Sequence, residues 1–350
     1  FNRNLNISII GFENTALVFV FLFASCSGKI EPRTQTAMDT LCTVNAFEDG
    51  TKKLYDEIFE RLSQIEKEFS ATLLDSEISR INSMSGISAV KTTEEVLNVL
   101  DFALKTAWIS DGAFTPVAGP LVDLWGINTD HQKIPSQAQI NNALELVDFG
   151  CVGLSRDSVF LRKAGMKINL GGIVKGFAAD EVCKILKMHG VKKAVVDLGG
   201  NIYVYGKKSD GNKWTVGIKN PESPSSAPLL RLCINENSVV TSGSYERYFE
   251  SNGKRYHHIF DPATGFPADS GIVSATVISP SSIAADALST ATFVLGVEKS
   301  FKLLDKFKKE FGSDISFVFV CKYGSVFASA DLKGSLEFVQ DDSRKIVFVP

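Results

Sequence analysis

Two strands of this chain are expected to end in paired glycines, and that repeated ending constrains the fold more than any other feature. In "NLGGIVKGFAAD" the chain turns at Gly171-Gly172 and opens a helix near Val174. In "VVDLGGN" a second strand stops at Gly199-Gly200. Glycine lets backbone approach whatever lies opposite. Two such ends point to backbone gathered around a common cleft. The helix after the first pair begins with unpaired amides, a favourable place for a phosphate. Lys175 falls in its first turn. "GGIVKG" matches neither a nucleotide P-loop nor a dinucleotide fingerprint. A tight strand–helix turn with an exposed lysine explains the same residues equally well. Asp197 reads either as a ligand contact or as a turn cap.

The remaining periodicities mix helices and strands. Apolar residues at Leu54, Ile58, Leu62, Ile65 and Phe69 form one helical stripe over 51–69. A second helix is expected over 94–109, with Val96, Leu97, Leu100, Leu104 and Ala107 inward. Others are expected over 137–147, 283–296 and 298–309. Strands are expected at 40–47, 166–170, 191–198, 213–221, 229–234, 238–242, 271–279, 315–320, 325–329 and 345–350. The turn Asn252-Gly253 marks a hairpin. Strands and helices do not alternate strictly, so α+β is favoured over a doubly wound sheet. With 350 residues and 44% hydrophobic content the chain can bury a sizeable core. A net charge of -3 gives no field that would gather nucleic acid. The six cysteines form no close pair, which removes zinc knuckles and dithiol redox motifs.

The segment "TALVFVFLFASCSGK" carries an apolar run from Ala16 to Ala24. It is short for a bilayer span and suits an export signal. Small residues precede Cys26 and polar ones follow, a pattern similar to a bacterial lipobox. Residues 1–25 are expected to be an export signal, Cys26 the lipidated residue, 26–34 a linker and 35–350 the folded body. An ordinary signal peptide or a buried strand is the alternative.

Two of four histidines sit together in "HHIFDPATGFPADSG". On a strand, His257 and His258 face opposite sides and do not share one metal. His258 is the expected functional member. Upstream, in "TSGSYERYF", Tyr245 and Tyr248 are candidates to stack on a flat ring, with Tyr245 the favoured one, and Arg247 can meet a phosphate. "SSIAADALSTATFVLG" places Asp286 in a small, apolar helical run, with Thr290 one turn on. A buried carboxylate needs a partner or a metal. Asp, a hydroxyl and phosphate oxygens would suit Mg2+. A hydrogen-bonded core aspartate is the plainer reading.

Taken in order, Met38-Asp39-Thr40, "FSATLLDSEISRIN", "DGAFTPVAGPLVDLWG", "INLGGIVKGFAAD", "DLGGN", "TSGSYERYF", "HHIFDPATG" and "ADALSTA" resemble the ApbE family of FAD:protein FMN transferases. The resemblance covers nearly the whole chain after Cys26. It implies one compact α+β domain, with internally similar sheets flanking a flavin cleft. It implies a Mg2+-dependent enzyme that takes FAD, attaches FMN through a phosphodiester to Thr or Ser of an acceptor protein, and releases AMP. Acceptors would resemble flavin-carrying subunits of membrane redox complexes. The implied metal set is Asp286, Thr290 and a backbone oxygen near Gly171. Lys175 and Asp180 fall on the glycine-rich helix motif, and His258 and Asp261 on the "HHI.DP.TG" motif. Met38, Gly171, Gly172, Gly199, Gly200, Ser242, Gly243 and Tyr245 complete the implied flavin contacts. Asp39 stands where the family often has glycine. His258 is implied to orient or deprotonate the attacking hydroxyl, with Asp286 holding the metal and Lys175 meeting charge. The implied location is the bacterial periplasm, lipid-anchored to the inner membrane. An FAD pyrophosphatase giving FMN and AMP, or a non-catalytic FAD-binding lipoprotein, remain alternatives.

Overall fold

Strict alternation along the central strands decides the architecture. In Ser316–Cys321, Phe317 and Phe319 enter one apolar cluster while Val318 and Val320 enter another. In Ile272–Ser279, Ala275 and Val277 likewise face away from Ile278. Successive side chains on a strand point to opposite faces, so this sheet is covered on both. The computed structural model describes residues 31–223, 227–340 and 343–350. Cys26, the expected export signal and most of the expected linker lie outside the described residues.

The sheet has nine strands. In spatial order they are Arg33–Ala37, Thr40–Asn45, Lys193–Leu198, Asn201–Gly206, Asn237–Gly243, Ile272–Ser279, Ser316–Cys321, Val326–Ser329 and Ile346–Val349. Every neighbouring pair is antiparallel except the last, which is parallel. One face carries the helices Lys52–Phe69, Val174–Met188, Ser282–Leu295 and Val297–Phe311. The other carries a three-stranded sheet formed by Leu336–Phe338, Leu230–Ile234 and Trp214–Ile218. The expected α+β class is the observed one. Among the described residues the sheets are unequal: nine, three, three and two strands.

The helix Lys52–Phe69 buries the expected stripe and is capped by Thr51, whose hydroxyl accepts from the Leu54 amide. In Glu94–Ile109 the buried face is turned slightly, to Val96, Val99, Leu100, Ala103 and Ala107. Three sequence readings change. Residues 166–170 form no strand, because a side chain takes the place of a ladder partner. Asn82 accepts from the Ile168 amide at 2.7 Å and donates to its carbonyl at 3.0 Å. The strand Asn201–Gly206, which the reading at "DLGGN" stopped short of, continues directly from the second glycine turn and pairs with Lys193–Leu198. The first described strand, Arg33–Ala37, begins inside the stretch read as a linker.

Register places several turns at one end of the large sheet. The tip Met38-Asp39 joins the first two strands, with φ of 53° and 56° at these residues. Such a tip twists with its flanking strands. Gly199 sits beside it, its amide donating to the Leu41 carbonyl at 3.1 Å. Ser242 and Gly243 end the strand Asn237–Gly243 at the same end, where Gly243 pairs with Ser274.

Candidate active site

Two helices meet beneath that end of the sheet. Val174–Met188 and Ser282–Leu295 lie against each other where Gly176 touches the Ser282 carbonyl. The contact is clamped twice. The Gly176 amide donates to Asp286 Oδ2 at 2.9 Å. Asp180 Oδ1 and Oδ2 accept from the Ser282 and Ile283 amides at 2.8 and 3.0 Å. These amides begin a helix and have no partner within it. Burial, partly offset by the two amide bonds, raises the Asp180 carboxyl to about 6. Asp180 was expected to touch the flavin. Both its oxygens instead fasten one helix to the other.

Asp286 is buried at 3% exposure, so its remaining neighbours decide what it can hold. Lys175 Nζ lies 3.9 Å from Asp286 Oδ1 and donates to the Gly171 carbonyl at 3.2 Å. Thr290 follows one turn after Asp286, against the second glycine. A Cβ on Gly172 would sit 3.2 Å from Thr290 Oγ1. Ser242 Oγ lies 2.8 Å from Ser289 Oγ and 3.4 Å from Thr290 Oγ1. Asp286, Thr290, Gly171, Gly172, Lys175 and Ser242 are thus brought together from three segments.

This donor set suits a hard cation. It offers a carboxylate, a hydroxyl and a carbonyl, the oxygen ligands that Mg2+ prefers. Lys175 already places one positive charge between two of these oxygens, so the arrangement accepts a cation there. Oδ1 faces that ammonium beyond hydrogen-bonding distance, which leaves it available as a ligand. Among the described residues no group of three His, Cys, Asp or Glu side chains could hold a metal, here or elsewhere, so this set rests on one carboxylate with hydroxyl and carbonyl oxygens.

The histidines separate as their strand position requires. His257 points into the core, its ring edge-on to Phe293 at 5.3 Å. Its Nε2 donates to the Ala268 carbonyl at 3.0 Å, and its Nδ1 accepts from the Ile259 amide at 3.3 Å. His258 turns the other way, and its Nδ1 donates to the Arg247 carbonyl at 3.1 Å. Burial holds both imidazoles down at about 4, so both are neutral at neutral pH.

Two further expectations change. Tyr245 is only 7% exposed, and its hydroxyl lies 3.3 Å from Ser274 Oγ. Its ring lies so close to Gly243 that a Cβ there would fall 2.6 Å from Cε1. It fills the space beneath the sheet end and presents no face for a flavin to stack on. Tyr245→Leu, which removes the aromatic ring, is therefore expected to leave FAD affinity within twofold and to cost stability by about 1–3 kcal/mol. Flavin-fluorescence titration and thermal melting check both, and a tenfold loss of affinity would restore the stacking role.

Asp261 was placed in the flavin contacts, but it folds its own loop. Its side chain accepts from the Ala263 amide at 2.9 Å and the Thr264 hydroxyl at 3.2 Å. Trp125 Nε1 pins the same loop by donating to the Gly265 carbonyl at 2.9 Å. Asp197 caps its glycine turn, accepting from the Gly200 amide at 2.8 Å. Met38 is held at the hairpin tip, its amide donating to Glu66 Oε1 at 2.9 Å. Sequence reasoning missed Ser289, whose only signal was its place one residue before Thr290.

Fold and site define an α+β protein whose hard oxygens and a lysine converge at a junction of two helices. A family model described as the ApbE family matches residues 38–312. The FAD:protein FMN transferase of Treponema pallidum is 38% identical over 318 residues, spanning 84% of this chain and 87% of that protein. Its namesake from Klebsiella pneumoniae is 37% identical over 279 residues, spanning 79% and 85%. The solved ApbE protein of Thermotoga maritima superposes with a TM-score of 0.78 at 31% identity, covering 87% of this chain and 98% of that one. This chain belongs to the ApbE family.

Proposed function

We propose that this chain is a Mg2+-dependent FAD:protein FMN transferase, tethered by lipid on Cys26 at the periplasmic side of a bacterial inner membrane. The observation that carries the reading is the convergence of Asp286, Thr290, the Gly171 carbonyl and Lys175 at the start of the glycine helix. Kinship with relatives named FAD:protein FMN transferase supplies the substrate class. In the proposed reaction a Thr or Ser oxygen of the acceptor bonds to the FMN phosphorus. The phosphorus–oxygen bond to AMP breaks, and AMP leaves. Membrane redox subunits are the proposed acceptors.

Asp286, Thr290 and the Gly171 carbonyl would hold the metal, which supplies positive charge to the pyrophosphate. Lys175 adds its own charge beside the same oxygens. The amides that open Val174–Met188 are largely committed, Val174 to the Leu170 carbonyl and Gly176 to Asp286, so the charge on the phosphate would be met by Lys175. Neutral His258, with Nδ1 committed to a carbonyl, has Nε2 available to take the hydroxyl proton.

The test is AMP release from FAD by the purified protein over a Mg2+ titration, with and without a Thr-bearing acceptor domain. The expected result is acceptor-dependent AMP release and FMN mass added to the acceptor. Flavin bound but intact, with no AMP under either condition, would leave a binding protein. AMP and free FMN without acceptor labelling would make it a pyrophosphatase.

A further inference from the structure

One residue links the two sides of the candidate site. Arg247 lies in the segment leading into the strand Tyr248–Ser251. Its guanidinium Nη2 donates to the Asp39 carbonyl at 3.3 Å, at the tip of the first hairpin. That tip is itself held to the helix Lys52–Phe69 through Met38 and Glu66. The Arg247 carbonyl accepts two bonds from one residue, the His258 amide at 3.1 Å and His258 Nδ1 at 3.1 Å. A carbonyl can only accept, so Nδ1 must carry the proton. His257 next door is fixed in the opposite tautomer, because its Nδ1 accepts and its Nε2 donates.

Building on the proposed function, we infer that Arg247 is a positioning residue. Its guanidinium straps the 247–258 segment to the Met38-Asp39 tip, and its carbonyl holds His258 with Nε2 free to receive a proton. The strap sets both the ring's orientation and its tautomer. Free imidazole favours the other tautomer, so a loosened strap returns His258 toward Nε2–H and removes the acceptor atom. Tautomer choice by the bond at the second nitrogen is the usual way a histidine is set for its task. Burial keeps the ring neutral; the bond to the Arg247 carbonyl opposes this, and the positive charges of Arg247, His257 and Lys175 add to the burial effect by smaller amounts.

The test uses Arg247→Ala and Arg247→Lys in the full chain. Arg247 is exposed, so neither change disturbs the core. For Arg247→Ala the turnover of AMP release is expected to fall about tenfold, a fraction of what a positioned base contributes. KM for FAD is expected to stay within twofold. Arg247→Lys, which can still reach the Asp39 carbonyl, is expected to recover part of the turnover. A rise in KM at constant turnover would overturn the inference, because Arg247 would then be contacting FAD itself.

A second readout needs no activity. The protein has four histidines, so 15N spectra of labelled imidazoles are tractable, with His258→Gln supplying the assignment. His258 is expected as Nδ1–H in the wild type and displaced toward Nε2–H in Arg247→Ala. An Nε2–H wild type, or a pattern unchanged by the substitution, would sink the strap even if the chain proves to be an active transferase. A chain that released no AMP yet showed the tautomer shift would refute the proposed function and leave the strap standing.

Discussion

Asp286→Ala is expected to abolish AMP release, by about 10²–10³-fold or more, the scale on which removing one preorganised electrostatic group acts. Acceptor labelling and any simple hydrolysis of FAD should fall together, since both break the same phosphorus–oxygen bond. Asp286 sits in a run of alanines and is only 3% exposed. Its Oδ2 is committed to the Gly176 amide, while Oδ1 faces Lys175. The substitution therefore removes a proposed metal ligand and strands an amide. The stranded amide costs about 1–3 kcal/mol of stability. Asp286→Asn separates these effects. The carboxamide oxygen can still accept from Gly176, so folding is retained while the negative charge is lost. Turnover should remain far below wild type, with partial recovery only at high Mg2+. The deciding measurement is AMP release by folded Asp286→Asn across a Mg2+ titration. Near wild-type turnover at low Mg2+ would reduce Asp286 to a helix clamp.

Asp286 was legible in the sequence because a lone charge among small residues has few explanations. Thr290 followed because four residues make one helical turn. Gly171-Gly172 and Gly199-Gly200 were legible as turns for a similar reason. What could not be read was the direction of each polar side chain. Asp180 and Asp261 lie in motifs beside the site, yet one closes a helix end and the other folds a loop. Polarity and position do not distinguish a carboxylate that meets a ligand from one that meets backbone. Tyr245 failed for a packing reason, because the space under Gly243 is set by the strand pairing of Gly243 with Ser274. The Arg247–Asp39 contact joins residues 208 positions apart and has no local signal. Residues 166–170 misled because their alternation is real, but Asn82 supplies the pairing that a strand would have given.

Gly176→Ala is expected to damage both fold and chemistry through a single methyl group. A Cβ at position 176 would fall 2.2 Å from the Ser282 carbonyl oxygen and 2.7 Å from Ile283 Cα. Both are backbone atoms, so no side-chain rotation relieves the clash. The backbone there is also pinned, since Asp180 holds the Ser282 and Ile283 amides and Asp286 holds Gly176 itself. The two helices must separate and stretch these bonds. Overpacking of this kind costs about 1–3 kcal/mol, occasionally more, which lowers Tm by roughly 2–5 °C in a domain of this size. The chemical loss should be larger than the thermal one. Asp286 belongs to one helix, while Gly171 and Lys175 belong to the start of the other, so separation pulls the proposed metal set apart. A displacement near 1 Å is enough for about a 10²-fold loss of rate. Thermal melting and AMP release on the same preparation check the two effects. A substituted protein with unchanged Tm and turnover would mean that the helices can part without disturbing the site. Asp286 and the glycine turn would then not work as one unit.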